Sequence, residues 1–161
     1  MKNKKNGFAL LVSVIFMSVM LTLGLALSSL GYKQQILAST AIRSQYAFYA
    51  ADAGMECALY ADQQQNLFDY ESHSSSNPPQ VITCDGASAT QLSYAYDATR
   101  LAVTERISLD SNTRCADVTV YKYDSSPQIT YIFSQGYDVS CATVANPNGA
   151  RFVSRGIGSR Y

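Results

Sequence analysis

Phe8-Ala9-Leu10-Leu11-Val12-Ser13-Val14-Ile15-Phe16-Met17 opens a stretch that carries no charge from residue 8 to residue 31. A basic leader, Met1-Lys2-Asn3-Lys4-Lys5-Asn6-Gly7, precedes it. An ordinary export signal has a positive segment, about 7–15 apolar residues, and then a small-residue cleavage site. Here the apolar stretch is longer, and the Gly7-Phe8 junction lies ahead of it. A peptidase cutting after Gly7 would remove the charged leader, residues 1–7, and leave the hydrophobic segment on the mature chain.

About 20 apolar residues in a helix cross a hydrocarbon core of about 30 Å. Residues 8–31 are therefore expected to form one transmembrane segment. Lys2, Lys4 and Lys5 lie before the span and the next charge is Lys33, so the N-terminus is expected in the cytoplasm. Ser13, Ser18, Thr22, Ser28 and Ser29 interrupt the run, but hydroxyls in a helix can bond back to its carbonyls.

The helix is expected to continue to Asp62. No proline falls between Tyr32 and Asp62, and Gly54 is the only glycine there. The segment Ala47-Phe48-Tyr49-Ala50-Ala51-Asp52-Ala53-Gly54-Met55-Glu56 is rich in alanine, the best helix former. Ile42, Tyr46, Tyr49, Ala50, Ala53, Cys57 and Tyr60 recur at three- and four-residue steps. They are expected to face the domain that follows, with Arg43, Asp52 and Asp62 largely outside the stripe.

After Gln63-Gln64-Gln65-Asn66 the pattern changes. Ser72-His73-Ser74-Ser75-Ser76-Asn77-Pro78-Pro79 has loop chemistry. Leu101, Val103, Ile107 and Leu109 then share one face of an alternating run, as do Ala116, Val118 and Val120. A third run is expected to place Ile129, Tyr131, Phe133, Tyr137, Val139 and Cys141 together, with a bulge at Gly136. Phe152–Ile157 would be a last strand. Turn residues separate these runs, which predicts an antiparallel meander over residues 63–161. One face of such a sheet must be covered, and the stripe on residues 36–62 of the helix is expected to supply the cover. The fold class is therefore α+β.

The Gly7-Phe8 junction, the uncharged span and the extension Tyr46-Ala47-Phe48-Tyr49-Ala50-Ala51-Asp52 together resemble a type IV pilin or pseudopilin, and look most like PilX-like minor pilins. The resemblance covers roughly the first two fifths of the chain. It implies that Gly7 is the last leader residue read by a prepilin peptidase. It implies that Phe8 is the first mature residue, methylated on its new amine. It also implies a life first in the inner-membrane bilayer, at an assembly platform, and then among other pilin subunits in a helical, cell-surface filament.

Val12 departs from the family pattern. It is the fifth mature residue, where major pilins usually carry a glutamate thought to pair with a neighbour's terminal amine. An unpaired ion buried among apolar helices costs several kcal/mol, and valine offers no charge. The departure suits a subunit used once, at the tip or in the initiating complex.

The four cysteines, Cys57, Cys84, Cys115 and Cys141, all follow the span. An even count in an exported domain predicts two disulfides, with three pairings possible. Cys57–Cys84 would tie the helix end to the next loop, and Cys115–Cys141 would join two strands; this pairing is favoured. No two lie in a C-x-x-C spacing, which argues against zinc or dithiol redox chemistry.

No catalytic constellation, cofactor motif or metal site is read. His73 is the only histidine, and with Asp69 and Glu71 it reads as part of a solvated loop. Arg151, Arg155 and Arg160 make a weak basic patch. Removing the leader leaves nine basic against twelve acidic residues, a net of −3, which argues against DNA binding. A competing reading is a membrane-anchored or secreted domain unrelated to pili. Ala26-Leu27-Ser28 is a passable site for ordinary signal peptidase, and cleavage there would leave Ser29 first.

Overall fold

The computed structural model describes residues 6–161; the lysines of the leader lie outside them. The chain divides into two units, with the boundary between Ala41 and Ile42. That boundary falls inside helix α1, Asn6–Gln63.

In the first unit α1 carries no charged residue from Phe8 to Gly31, and Lys33 is the first. Its side chains from Phe8 to Ala41 are exposed wherever they are described. The helix is long and apolar enough to cross a membrane. The polar residues disturb it little, because their hydroxyls donate to carbonyls one turn back. Ser13 bonds Leu10 O at 2.9 Å, Ser18 bonds Ile15 O at 2.8 Å and Thr22 bonds Val19 O at 2.9 Å.

The second unit is α+β. It begins with the last part of α1, which ends at Gln63, and Asn66 beyond it takes a φ of 51°. The Leu67 N–H then reaches back to Ala61 O at 3.0 Å, which satisfies one of the last carbonyls of the helix. A single 3-10 turn follows at Tyr70–Ser72. A small hairpin comes next, β1 (Thr83–Cys84) with β2 (Ala87–Ser88). The main sheet has five strands: β3 (Thr90–Tyr96), β4 (Arg100–Leu109), β5 (Arg114–Tyr123), β6 (Thr130–Tyr137) and β7 (Ser154–Arg160). They lie in sequence order and each pair is antiparallel. This is the meander the turn spacing predicts. Asp110, Ser111 and Asn112 all take positive φ in the β4–β5 turn, a conformation that Asn and Asp tolerate best among side-chain-bearing residues. A short helix α2 (Cys141–Ala145), capped by Ser140, precedes β7.

One face of the sheet packs on α1. Leu101, Val103 and Ile107 of β4, Val118 and Val120 of β5 and Ile132 of β6 are buried there with Phe68 and Ile82.

Three expectations need correction. The helix stripe is rotated: Ile42, Tyr46, Tyr49 and Tyr60 are exposed, whereas Ala47, Ala50, Ala51, Gly54, Met55, Ala58 and Ala61 are buried. The reason is distance. A Cβ placed on Gly136 of β6 would overlap the Ala47 carbonyl oxygen and the Ala51 amide nitrogen, and one on Gly54 would lie 2.8 Å from Ala116 Cβ and Ser134 Oγ. Only a face of small residues lets the helix backbone come this near.

The same contact explains Gly136. It sits in regular register opposite Ala116 and forms no bulge; it makes room for the helix. Within β6 the alternation holds, and its aromatic side is the one turned away from the helix. Thr130, Ile132 and Ser134 point to the helix, while Tyr131 and Phe133 face outward. Finally, Cys141 opens α2 and is not on a strand.

Candidate assembly segment and sheet face

Phe8 and Val12 both lie on the exposed first part of α1, with Phe8 74% and Val12 48% accessible. Gly7 is already helical. No glutamate occupies the first two turns of α1, so from Phe8 onward this stretch carries only apolar side chains and hydroxyls.

The disulfides are Cys57–Cys84 and Cys115–Cys141, the pairing favoured from the sequence. The first ties α1 to β1, with Cα atoms 5.9 Å apart. The second ties β5 to α2 rather than to another strand, with Cα atoms 4.8 Å apart. Both therefore fasten peripheral elements to the helix–sheet body.

Charged residues hold the same body together. Asp62, expected outside the helix stripe, is buried at the end of α1. Its Oδ1 accepts from Lys122 Nζ of β5 at 2.7 Å and its Oδ2 from the Tyr161 hydroxyl at 2.6 Å. Burial and then the bond to the Asp62 carboxylate push the Tyr161 phenol well above its ordinary pKa. Arg43 pairs with Asp138 and donates to Arg151 O at 2.6 Å. Glu105 on β4 is buried on the helix side. Its Oε2 accepts from the Ile82 N–H at 2.8 Å, and its Oε1 is buried with no partner. Burial pushes its pKa up, against the opposing effect of that hydrogen bond.

The outward face of the sheet changes character along its length. At one end Arg106 and Asp117 form a two-pronged pair, both contacts 2.7 Å, and the Tyr137 hydroxyl donates to the same carboxylate at 3.2 Å. Its own bond to Asp117 raises the Arg106 pKa; burial and then the Asp117 charge raise that of Tyr137. Thr104 and Thr119 bridge the middle at 3.1 Å. At the other end Tyr121 faces Tyr131 across the β5–β6 ladder. There Tyr123, Tyr131, Phe133 and Arg160 line a groove of about 840 Å³. The alternation that sets Tyr131 and Phe133 on one face was visible in the sequence; that this face turns away from the helix was not.

The loop residues offer little chemistry. His73 Nε2 lies 2.9 Å from Leu67 O, and Asp69 accepts from Ser72 Oγ at 2.5 Å. Among the described residues no group of three or more His, Cys, Asp or Glu is placed to hold a metal. The three C-terminal arginines do not form one patch. Arg155 donates to Ser44 Oγ at 2.7 Å, whereas Arg160 lies over the Tyr131 ring at 5.1 Å. No protein-family model matches the chain, and no curated protein or solved structure is significantly similar to it.

Proposed function

We propose that this chain is a minor subunit of a type IV pilus-like filament, placed at or near the tip or in the complex that starts assembly. The observation that carries this reading is α1. One uninterrupted helix begins beside a Gly7-Phe8 junction and bears an all-apolar exposed stretch. The same helix supplies, further on, the small-residue face that covers a disulfide-tied sheet. Prepilin peptidase removes residues 1–7. The mature helix waits in the inner membrane, then exchanges lipid for the helices of other pilin subunits as an assembly platform extrudes the filament. The sheet unit becomes the surface-exposed part.

Val12 sets the position in the filament. A subunit that repeats along a shaft buries one terminal amine per junction, and each amine needs a carboxylate nearby. A chain with valine there is used once, where no incoming amine has to be neutralised. Two oxidised cysteine pairs are in keeping with folding outside the cytoplasm.

Quantitative mass spectrometry on purified filaments, with gold-labelled antibody to locate the subunit, tests this. A few copies per filament, clustered at an end, are expected, and Val12→Glu should let the protein enter the shaft. Recovery of the unmutated chain as the bulk of the fibre would contradict the tip assignment.

A further inference from the structure

We propose that the aromatic end of the outward sheet face binds a neutral oligosaccharide. The floor is built by register. Phe133 on β6 pairs with Gly158 on β7, and Gly156 lies beside it. Neither glycine carries a side chain to cover the ring, and Phe133 is 45% exposed. A Cβ on Gly156 would come within 2.8 Å of the Phe133 ring, so the glycine also sets how the ring lies. Tyr123 and Tyr131 meet edge to face, with centroids 5.8 Å apart and planes at 73°. Together these rings make a floor with an upright wall inside the groove of about 840 Å³, within the size range of small-ligand sites.

The rim decides the ligand. Asp124 and Arg160 both line the groove, and among the described residues neither forms an ion pair. One accepts hydrogen bonds only and the other donates only. The site is therefore charge-balanced, with an acceptor and a donor around an apolar floor. A sugar matches both features: its C–H face lies flat on an aromatic ring, and its hydroxyls at the ring edge both give and take hydrogen bonds. A polyanion does not match. Asp124 would repel it, and without residues 1–7 the chain has nine basic against twelve acidic residues, a net of −3. Two disulfides are in keeping with a place outside the reducing cytoplasm, where cell-surface and secreted sugars are met.

The test uses the full chain in a zwitterionic detergent that carries no sugar headgroup. It is applied to an array of neutral and acidic oligosaccharides and to a 20-mer of deoxythymidine, and the best neutral binder is then titrated by calorimetry. At least one neutral di- to tetrasaccharide is expected to bind. Phe133→Ala and Asp124→Asn should each weaken binding about 10-fold or more, and Gly156→Ala should weaken it while the melting temperature stays close to the unmutated value. Tyr60→Ala, exposed on α1 and outside the groove, should change nothing. Asp124→Asn carries the test should Phe133→Ala lower the melting temperature. The proposal is overturned by an array with no neutral ligand, or by binding that ignores both substitutions. It is equally overturned by preferential binding of the oligonucleotide, or by a dimer that Phe133→Ala dissolves.

Discussion

Residues 8–28 and residues 47–62 belong to one helix and present opposite kinds of surface. The first stretch is built of Leu, Val, Ile, Phe and Met, and its described side chains are exposed. The second buries Ala47, Ala51, Gly54 and Ala58. Hydropathy alone would have buried the first and floated the second. Large apolar side chains give a helix a wide skirt that lipid or other helices can fill. Small ones let the helix backbone sit directly on a sheet, close enough for Gly136 to touch the Ala47 carbonyl. Side-chain size, more than apolarity, decides which part of α1 closes the domain.

That comparison breaks most visibly at glycine. Gly136→Val should abolish cooperative folding of the sheet unit, a loss of about 3 kcal/mol or more, because the backbone atoms it meets cannot swing away. Gly24→Ala should be harmless, since nothing lies within 4 Å of the added carbon. Thermal unfolding followed by circular dichroism of the full chain in detergent compares the two. Equal effects would show that the helix–sheet contact is loose.

The buried end of the helix gives the next effect. Lys122→Met strands the Asp62 carboxylate, which is 3% exposed, and should destabilise the fold by roughly 3–5 kcal/mol. Asp62→Leu combined with Lys122→Met should recover most of that, as measured by urea unfolding. Close behind come the disulfides, each worth about 2–4 kcal/mol. Their loops span 27 and 26 residues, so replacing either pair with serine should lower stability by similar amounts. A thiol reagent should label none of the cysteines in denatured, unreduced protein.

Glu105 provides the smallest effect and a pH signature. Its folded pKa is raised, so the folded state holds a proton that the unfolded state releases above about pH 4.3. Stability therefore falls as pH rises from there through the folded pKa. Glu105→Gln should remove that slope and stabilise the fold at pH 7 by on the order of 1 kcal/mol. Asp97 works in the opposite sense. Bonds from Thr99 first, then Arg100, lower its pKa, so its contribution fades only as pH drops below about 3.9. Urea unfolding at pH 4 and at pH 7 separates the two.

The sequence carried more of the fold than of the faces. Absence of charge from residue 8 to 31 and of proline from residue 32 to 62 defined α1, and period-two runs with Asp-Ser-Asn and Asn-Pro-Asn-Gly turns defined the meander. The favoured cysteine pairing matches the observed one. Helix rotation was misread because Tyr46, Tyr49 and Tyr60 weigh more in an apolar stripe than Ala47 and Ala51, and composition does not reveal how close a sheet will come. Strand β3 was missed because its apolar pattern is weak: Tyr94 and Tyr96 alternate, but a bulge between Gln91 and Ser93 shifts the register. Glu105 and Asp62 were invisible as buried groups, since both sit in polar-looking positions and are held by partners 23 and 60 residues away.

The mature N-terminus tests the central claim most directly. The full-length chain would be expressed in a host that has both prepilin peptidase and signal peptidase, and its N-terminal peptide measured by mass spectrometry. A methylated Phe8 at the start is the predicted result, and Gly7→Leu should block its formation because the peptidase site admits only a small residue. A mature chain that begins at Ser29 would contradict the account, since α1 would then lose the apolar segment that the proposed filament assembly requires.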